Sequence, residues 1–178
     1  MTVPLVVVGA LLLGHTTRKT SSTPSTTAGS QILAPVSVAA PPANAGADVA
    51  CTSLTGSLPI TLGTLPGRPA RSSWTYVAAW GDPAVVLRCG VPKPSALVAG
   101  SDAQIIVING VSWLPVAAKK QTVWTAIDRT AYVEVTVPSS YAQPPLAPVS
   151  DAIAKVLPAV CDVNPNEPDL SKLCTRRP

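Results

Sequence analysis

Residues 80–92 constrain the fold of this chain more than any other segment. They read W-G-D-P-A-V-V-L-R-C-G-V-P. Gly81-Asp82-Pro83 is typical of a turn. An apolar run follows, with Arg88 and Cys89 at its end, and Gly90 and Pro92 then stop it. We therefore predict a buried strand that is bounded by a turn on each side and carries one charged side chain.

The cysteine pattern predicts an oxidising compartment. The chain has four cysteines without a C-x-x-C pair, and its single histidine, His15, precedes the domain. The spacing of a zinc site is therefore missing, and neither a metal nor a cofactor is predicted. An even number of cysteines behind an apolar leader is typical of disulfides in an exported protein. The alternative is a set of reduced thiols in a cytosolic protein.

The first 50 residues predict a leader and a tether. Residues 1–14 form an apolar leader, either a signal segment or a membrane anchor. Because Arg18 and Lys19 follow it and no basic residue precedes it, its charge order opposes export. One resolution is that the natural start lies upstream and the leader is incomplete. Residues 15–50 predict a disordered linker rich in Ser, Thr, Pro and Ala.

Residues 51–160 predict an α+β domain, and residues 161–178 a polar tail. Leucines 54, 58, 62 and 65 recur at helical spacing, which predicts a short helix over residues 51–65, with a break at Pro59 as an alternative. Asn109-Gly110 predicts a tight hairpin, and Asp128-Arg129-Thr130 a second one. We predict an antiparallel sheet of about five to six strands with an N-terminal and a C-terminal helix packed on it. The predicted strands cover residues 74–80, 84–89, 104–108, 111–117, 121–127 and 131–137, and the last helix covers residues 149–160.

Charge argues against a nucleic-acid partner. The net charge is +4, and the basic residues are spread along the chain without a stripe or an alternation with aromatic residues. The predicted contacts are instead with the membrane, through the N-terminal segment, and with an envelope protein or wall component.

Several segments together resemble one protein family. They are a cysteine before a Leu-rich helix, A-W-G-D-P at 79–83, V-V-L-R-C-G-V-P at 85–92, N-G-V-S-W at 109–113, Asp128-Arg129, and V-E-V-T-V-P at 133–138. Over about residues 51–157 the chain resembles the uncharacterised actinobacterial secreted or membrane-anchored proteins grouped as domain of unknown function 3515. The resemblance implies a shared fold and a location at the cell membrane or outside the cell, but no reaction.

The resemblance also suggests a disulfide pairing. Cys51 and Cys89 both lie in the family-like part, so we pair them, and Cys161 then pairs locally with Cys174. The rival pairing joins Cys51 to Cys161 and Cys89 to Cys174. Four cysteines allow three connectivities, and their spacing does not choose among them.

Arg88 is the most suggestive polar residue, because a cation in an apolar strand needs a partner. One interpretation is a salt bridge to Asp82 or Asp128, or a side chain that reaches water at the sheet edge. The other is a guanidinium that recognises a carboxylate or phosphate of a ligand. Two tryptophans either line a groove as stacking platforms or fill the core. The candidate binding residues are Arg88, Asp82, Trp80, Trp113, Asp128 and Arg129.

Catalysis is not the predicted activity. No histidine lies in the domain, G-x-S-x-G is incomplete at residues 110–114, and the carboxylates of Asp82, Asp102, Asp128 and Glu134 are scattered. We predict a non-catalytic domain, tethered to the membrane or secreted, that binds or scaffolds an envelope component. The alternative is an enzyme that acts on envelope material with Arg88 and clustered carboxylates. A cleft that gathers Arg88 with two carboxylates would favour the enzyme, and a flat apolar patch would favour binding.

Overall fold

A computed structural model of the chain describes residues 33–42, 44–98 and 102–160. Within them the chain forms two α-helices, α1 (Asp48–Thr55) and α2 (Ala147–Val156), with a 3-10 turn at Ala45–Ala47. The strands are β1 (Val36–Ser37), β2 (Thr61–Leu62), β3 (Leu65–Arg68), β4 (Ala70–Arg71), β5 (Val77–Trp80), β6 (Val85–Cys89), β7 (Ile106–Ile108), β8 (Val111–Ala118), β9 (Gln121–Ala126) and β10 (Val133–Pro138).

Eight of the described strands form the main sheet, in the order β2-β3-β5-β6-β10-β9-β8-β7. Every neighbouring pair in this sheet is antiparallel. The predicted α+β class with an antiparallel sheet is confirmed. The predicted number of five to six strands was too low.

The additional strands come from the segment that was predicted as the second half of the first helix. Helix α1 ends at Thr55, and residues 61–68 form the β2–β3 hairpin instead. Leu62 pairs with Leu65 across the turn, and Gly63 between them has a φ of +62°, a conformation that glycine adopts easily. Pro59, which disfavours a helix interior, separates this hairpin from α1. Leucine spacing alone therefore predicted the wrong element here.

The core lies between the sheet and the two helices. In β6, Val85, Leu87 and Cys89 are buried, whereas Val86 and Arg88 lie on the opposite face. The same alternation in β10 is the period of a sheet with one buried face. Leu54 of α1 and Ile153 of α2 complete this core, and both are fully buried. Within the described part of the chain, neither helix has the length and apolar character that crossing a bilayer requires.

The N-terminal part of the folded region begins upstream of Cys51, within the predicted linker. Strand β1 pairs in parallel with β4. The Ala34 carbonyl accepts a hydrogen bond from Arg68 Nε at 2.6 Å, and the Ala39 carbonyl accepts one from Arg88 Nη1 at 3.2 Å. The segment at residues 33–42 is thus bonded to the domain, and α1 itself begins at Asp48.

The predicted disulfide between Cys51 and Cys89 is present, with a Cα–Cα distance of 5.6 Å. It joins α1 to the end of β6, and both cysteines are fully buried. Gly90 follows with a φ of +80°, and a Cβ there would lie 3.4 Å from Cys51 Sγ and 3.3 Å from the Trp74 ring. Gly90 thus packs against the disulfide that Cys89 forms with Cys51. Cys161 and Cys174 lie outside the described residues, so their predicted pairing stays a prediction.

Candidate functional site

Arg88 forms an ion pair with Glu134, its direct neighbour across β6 and β10. Arg88 Nε and Nη2 donate to the same oxygen, Glu134 Oε1, at 3.0 and 2.5 Å. The predicted partners Asp82 and Asp128 were wrong. The strand register explains why Glu134 is the partner of Arg88, because residues directly opposite each other on one face of a sheet lie in contact distance.

The Arg88–Glu134 pair lies beneath the N-terminal segment. The side chains are 26% and 15% exposed, and Arg88 Nη1 reaches over to the Ala39 carbonyl. One guanidinium thus connects β6, β10 and residues 33–42. This arrangement positions Arg88 as a structural cross-link and directs its donors to groups of its own chain.

Asp82 belongs to a second ion pair, formed in the turn between β5 and β6. Its Oδ1 accepts a hydrogen bond from Arg68 Nη1 at 2.9 Å, and the same nitrogen donates to the Gly81 carbonyl at 3.1 Å. The Tyr141 hydroxyl donates to the Pro83 carbonyl at 2.6 Å. Gly81 has a φ of +71°, and a Cβ there would lie 2.8 Å from Tyr141 Oη. The G-D-P motif therefore forms a tight turn between Arg68 and Tyr141.

The environment of this turn raises the pKa of Tyr141 above its ordinary value of 10.0. Burial is the largest cause, the Asp82 carboxylate adds to the increase, and the Arg68 guanidinium opposes it. Neutral Tyr141 is thus the form that the folded domain favours.

Tyr141→Phe should lower the free energy of unfolding by about 1 kcal/mol at neutral pH, because the hydrogen bond to the Pro83 carbonyl is lost. A raised folded pKa gives stability that is complete below pH 10 and is lost as the pH rises through the folded pKa. The wild type should therefore lose stability more steeply than the variant above that pH. Urea unfolding at a series of pH values measures this, and parallel curves would contradict it.

Asp128 and Arg129 lie in the loop between β9 and β10 and form a third ion pair, which contacts the β7–β8 turn. Asp128 Oδ2 lies 3.2 Å from Arg129 Nη1 and accepts a hydrogen bond from the Ser112 amide at 3.0 Å. Arg129 Nη2 donates to the Gly110 carbonyl at 2.5 Å. The Asp128 carbonyl accepts from the Val160 amide at 2.9 Å. The D-R motif therefore connects the β7–β8 turn to the chain that leaves α2.

The two candidate tryptophans lie in the core. Trp80 is 2% exposed and its Nε1 donates to the Pro59 carbonyl at 3.0 Å. Trp113 is fully buried and its Nε1 donates to Ser150 Oγ of α2 at 2.9 Å. Neither ring presents a face to solvent, so the core interpretation describes both.

The candidate residues thus belong to three separate ion pairs and to the core. Sequence reasoning missed Arg68 and Tyr141, which carry no local signal because each lies far along the chain from the turn that it contacts. It named Glu134 only among scattered carboxylates. The wet face of V-E-V-T-V-P was the available signal, since it places Glu134 on the same kind of face as Arg88.

One exposed feature differs in kind from these bonded groups. The last strand of the main sheet, β7, is exposed together with the residue before it: Ile105 is 51% exposed, Ile106 40% and Val107 66%. We call Ile105, Ile106 and Val107 the β7 edge. Residues 103–108 contain no charged residue. Because successive side chains of a strand point to opposite faces, Ile106 and Val107 expose apolar surface on both faces of this sheet edge.

Among the described residues, no three His, Cys, Asp or Glu side chains are grouped so that they could hold a metal ion. Comparison with known proteins gives a family match. A family model described as "Protein of unknown function (DUF3515)" matches residues 1–161. No curated protein and no solved structure matches the chain. The match covers most of the chain, including the motifs that form the disulfide and the ion pairs, and the chain therefore belongs to the family of domain of unknown function 3515.

Proposed function

We propose that this protein is a non-catalytic domain of the bacterial cell envelope, which lies outside the cytoplasm and binds or scaffolds an envelope component. Its N-terminal segment holds it at the membrane or directs its secretion. The domain acts by presenting a surface, without transforming a substrate.

The observation that carries this proposal is a contrast between charged and apolar groups. Arg88, Asp82, Asp128 and Arg129 each bond to another group of the domain. Exposed apolar side chains are meanwhile adjacent at the β7 edge. Surfaces used for binding carry such apolar patches, whereas an acid–base site requires polar groups that converge on a substrate.

The disulfide supports the location. Cys51 and Cys89 lie in the core, and their bond connects the first helix to the sheet. Structural disulfides of this kind persist in oxidising compartments and are rare in the cytosol. An exported domain therefore suits the covalent structure of this fold.

The contacts of Arg88 favour binding over the enzymatic alternative. An enzyme that used Arg88 would need it beside clustered carboxylates. Among the described residues, the carboxylate that contacts Arg88 is Glu134 alone. Asp82 and Asp128 pair with Arg68 and Arg129 instead.

A reporter that is active only in the cytoplasm, fused after Pro178, tests the location. We expect no signal, and a strong cytoplasmic signal would contradict the proposal.

A photoreactive residue placed at Val107 tests binding in living cells. We expect an adduct at Val107 but none at Ile60, an isoleucine that is 88% exposed and lies outside the β7 edge. Adducts of equal yield at both positions, or at neither, would contradict a binding role for the edge.

A further inference from the structure

The turn between β7 and β8 contains the one Asn-Gly pair of the sequence, Asn109-Gly110. Both residues are exposed, and a Cβ built on Gly110 would meet nothing within 4 Å. An asparagine side chain carries an electrophilic amide carbon, which the backbone nitrogen of the next residue can attack. Glycine has no side chain that blocks this nitrogen. The other asparagines, at positions 44, 164 and 166, are followed by Ala, Pro and Glu.

A hydrogen bond to α2 holds the Asn109 side chain in place. Its Nδ2 donates to Asp151 Oδ1 at 2.8 Å. The turn itself has φ values of 47° at Asn109 and 76° at Gly110, and the Gly110 carbonyl accepts a hydrogen bond from Arg129 Nη2. Attack requires the side-chain carbon of Asn109 to rotate onto the Gly110 nitrogen. The bond to Asp151 must therefore break before Asn109 reacts.

We propose that Asn109 is a site of spontaneous deamidation and that its hydrogen bond to Asp151 controls the rate. The proposal does not depend on the proposed function. The Gly110 nitrogen forms a bond to Asn109 Cγ, the bond from Cγ to Nδ2 breaks, and the Gly110 amide proton leaves with Nδ2 as ammonia. Water then opens the cyclic imide. Opening at the side-chain carbonyl gives an aspartate, and opening at the backbone carbonyl gives an isoaspartate, whose main chain runs through Cβ.

Either product disturbs the turn. A carboxylate at position 109 replaces the amide donor and faces the Asp151 carboxylate, so a hydrogen bond becomes a contact between like charges. The isoaspartate also adds a methylene to the main chain between Ile108 and Val111, which pair directly across the turn. Because the turn fixes the register of a hairpin, deamidation should loosen the pairing of β7 with β8.

Incubation of the full chain at physiological temperature and mildly alkaline pH tests the proposed site. Peptide mass spectrometry, with standards that separate aspartate from isoaspartate, measures the conversion of each asparagine. We expect Asn109 to convert first, because the other asparagines lack a following glycine. No conversion of Asn109 over weeks of incubation, or earlier conversion of another asparagine, would overturn the proposal.

Removal of the Asp151 carboxylate tests the control of the rate. In Asp151→Ala, Asn109 should convert about tenfold faster than in the wild type, because a hydrogen bond to a charged acceptor is lost. Asp151→Asn keeps an acceptor oxygen and should convert at an intermediate rate. Asp102→Ala is the matched control, since it removes an exposed carboxylate ahead of β7 and should leave the rate unchanged. Equal rates in Asp151→Ala and Asp102→Ala, or a slower rate in Asp151→Ala, would overturn the role of Asp151.

An exchange of the two side chains tests the effect on the turn. Asn109→Asp should lower the urea midpoint, because two carboxylates then meet. Asn109→Asp combined with Asp151→Asn should restore the midpoint, because the amide and the carboxylate have changed places across the same contact. A midpoint of Asn109→Asp equal to that of the wild type, or a double variant no more stable than Asn109→Asp, would contradict the inferred contact between like charges.

Discussion

Replacing Cys51 and Cys89 together with alanine should lower the free energy of unfolding by about 4 kcal/mol. The disulfide closes a loop with a sequence separation of 38, and losing it frees the unfolded chain to adopt more conformations. Losing the bond also removes the covalent link between α1 and β6, and Leu54 of α1 belongs to the same core as Leu87 of β6. Guanidinium unfolding of the two oxidised proteins at neutral pH measures the difference.

Cys161→Ala with Cys174→Ala is the matched control for this experiment. A disulfide between them would close a loop with a separation of 13, so its removal should cost less, about 3 kcal/mol, and should leave α1 packed on the sheet. If the control variant were the less stable of the two, the assignment of Cys51–Cys89 as the principal cross-link would be wrong.

Arg88→Ala should lower the free energy of unfolding by about 3 kcal/mol. The change leaves the Glu134 carboxylate without its cationic partner. Because the Glu134 side chain is only 15% exposed, the loss of its partner is costly. It also removes the donor to the Ala39 carbonyl. Arg88→Lys should restore stability only in part, because one ammonium group lacks the spread of donors that reaches both Glu134 and Ala39.

Asp82→Ala is the control for the loss of an ion pair. Its carboxylate is 71% exposed, so we expect a cost of about 0–1 kcal/mol. Denaturant midpoints of these variants and of Glu134→Ala decide the question. Equal stability of Arg88→Ala and the wild type would contradict the structural role of Arg88 and make it available to a ligand.

The elements that sequence predicted well are those that local chemistry determines. Asn109-Gly110 predicts its hairpin because both residues tolerate positive φ, and they adopt 47° and 76°. The alternation in β10 predicts a buried and a wet face. The Cys51–Cys89 pairing was accessible only through the family resemblance, since spacing leaves three connectivities open.

The features that sequence missed have two causes, namely local residues that outweigh leucine spacing and tertiary register. Leu62 and Leu65 fit a helix by spacing, yet Pro59 and Gly63 favour the hairpin that the structure contains. Arg88 pairs with Glu134 because β6 lies beside β10, a strand order that local patterns do not determine. Likewise, nothing in residues 103–108 alone indicates that β7 would be the last strand of the sheet. The β7 edge could be recognised only once the order of strands was known.

The state of the cysteines in living cells tests the central claim most directly, namely that this is an exported domain held together by its motif residues. Free thiols are alkylated at lysis, and the protein is digested without reduction and analysed by mass spectrometry. We predict a peptide in which Cys51 is linked to Cys89. Alkylated Cys51 and Cys89, or a peptide that links Cys51 to Cys161, would contradict the account.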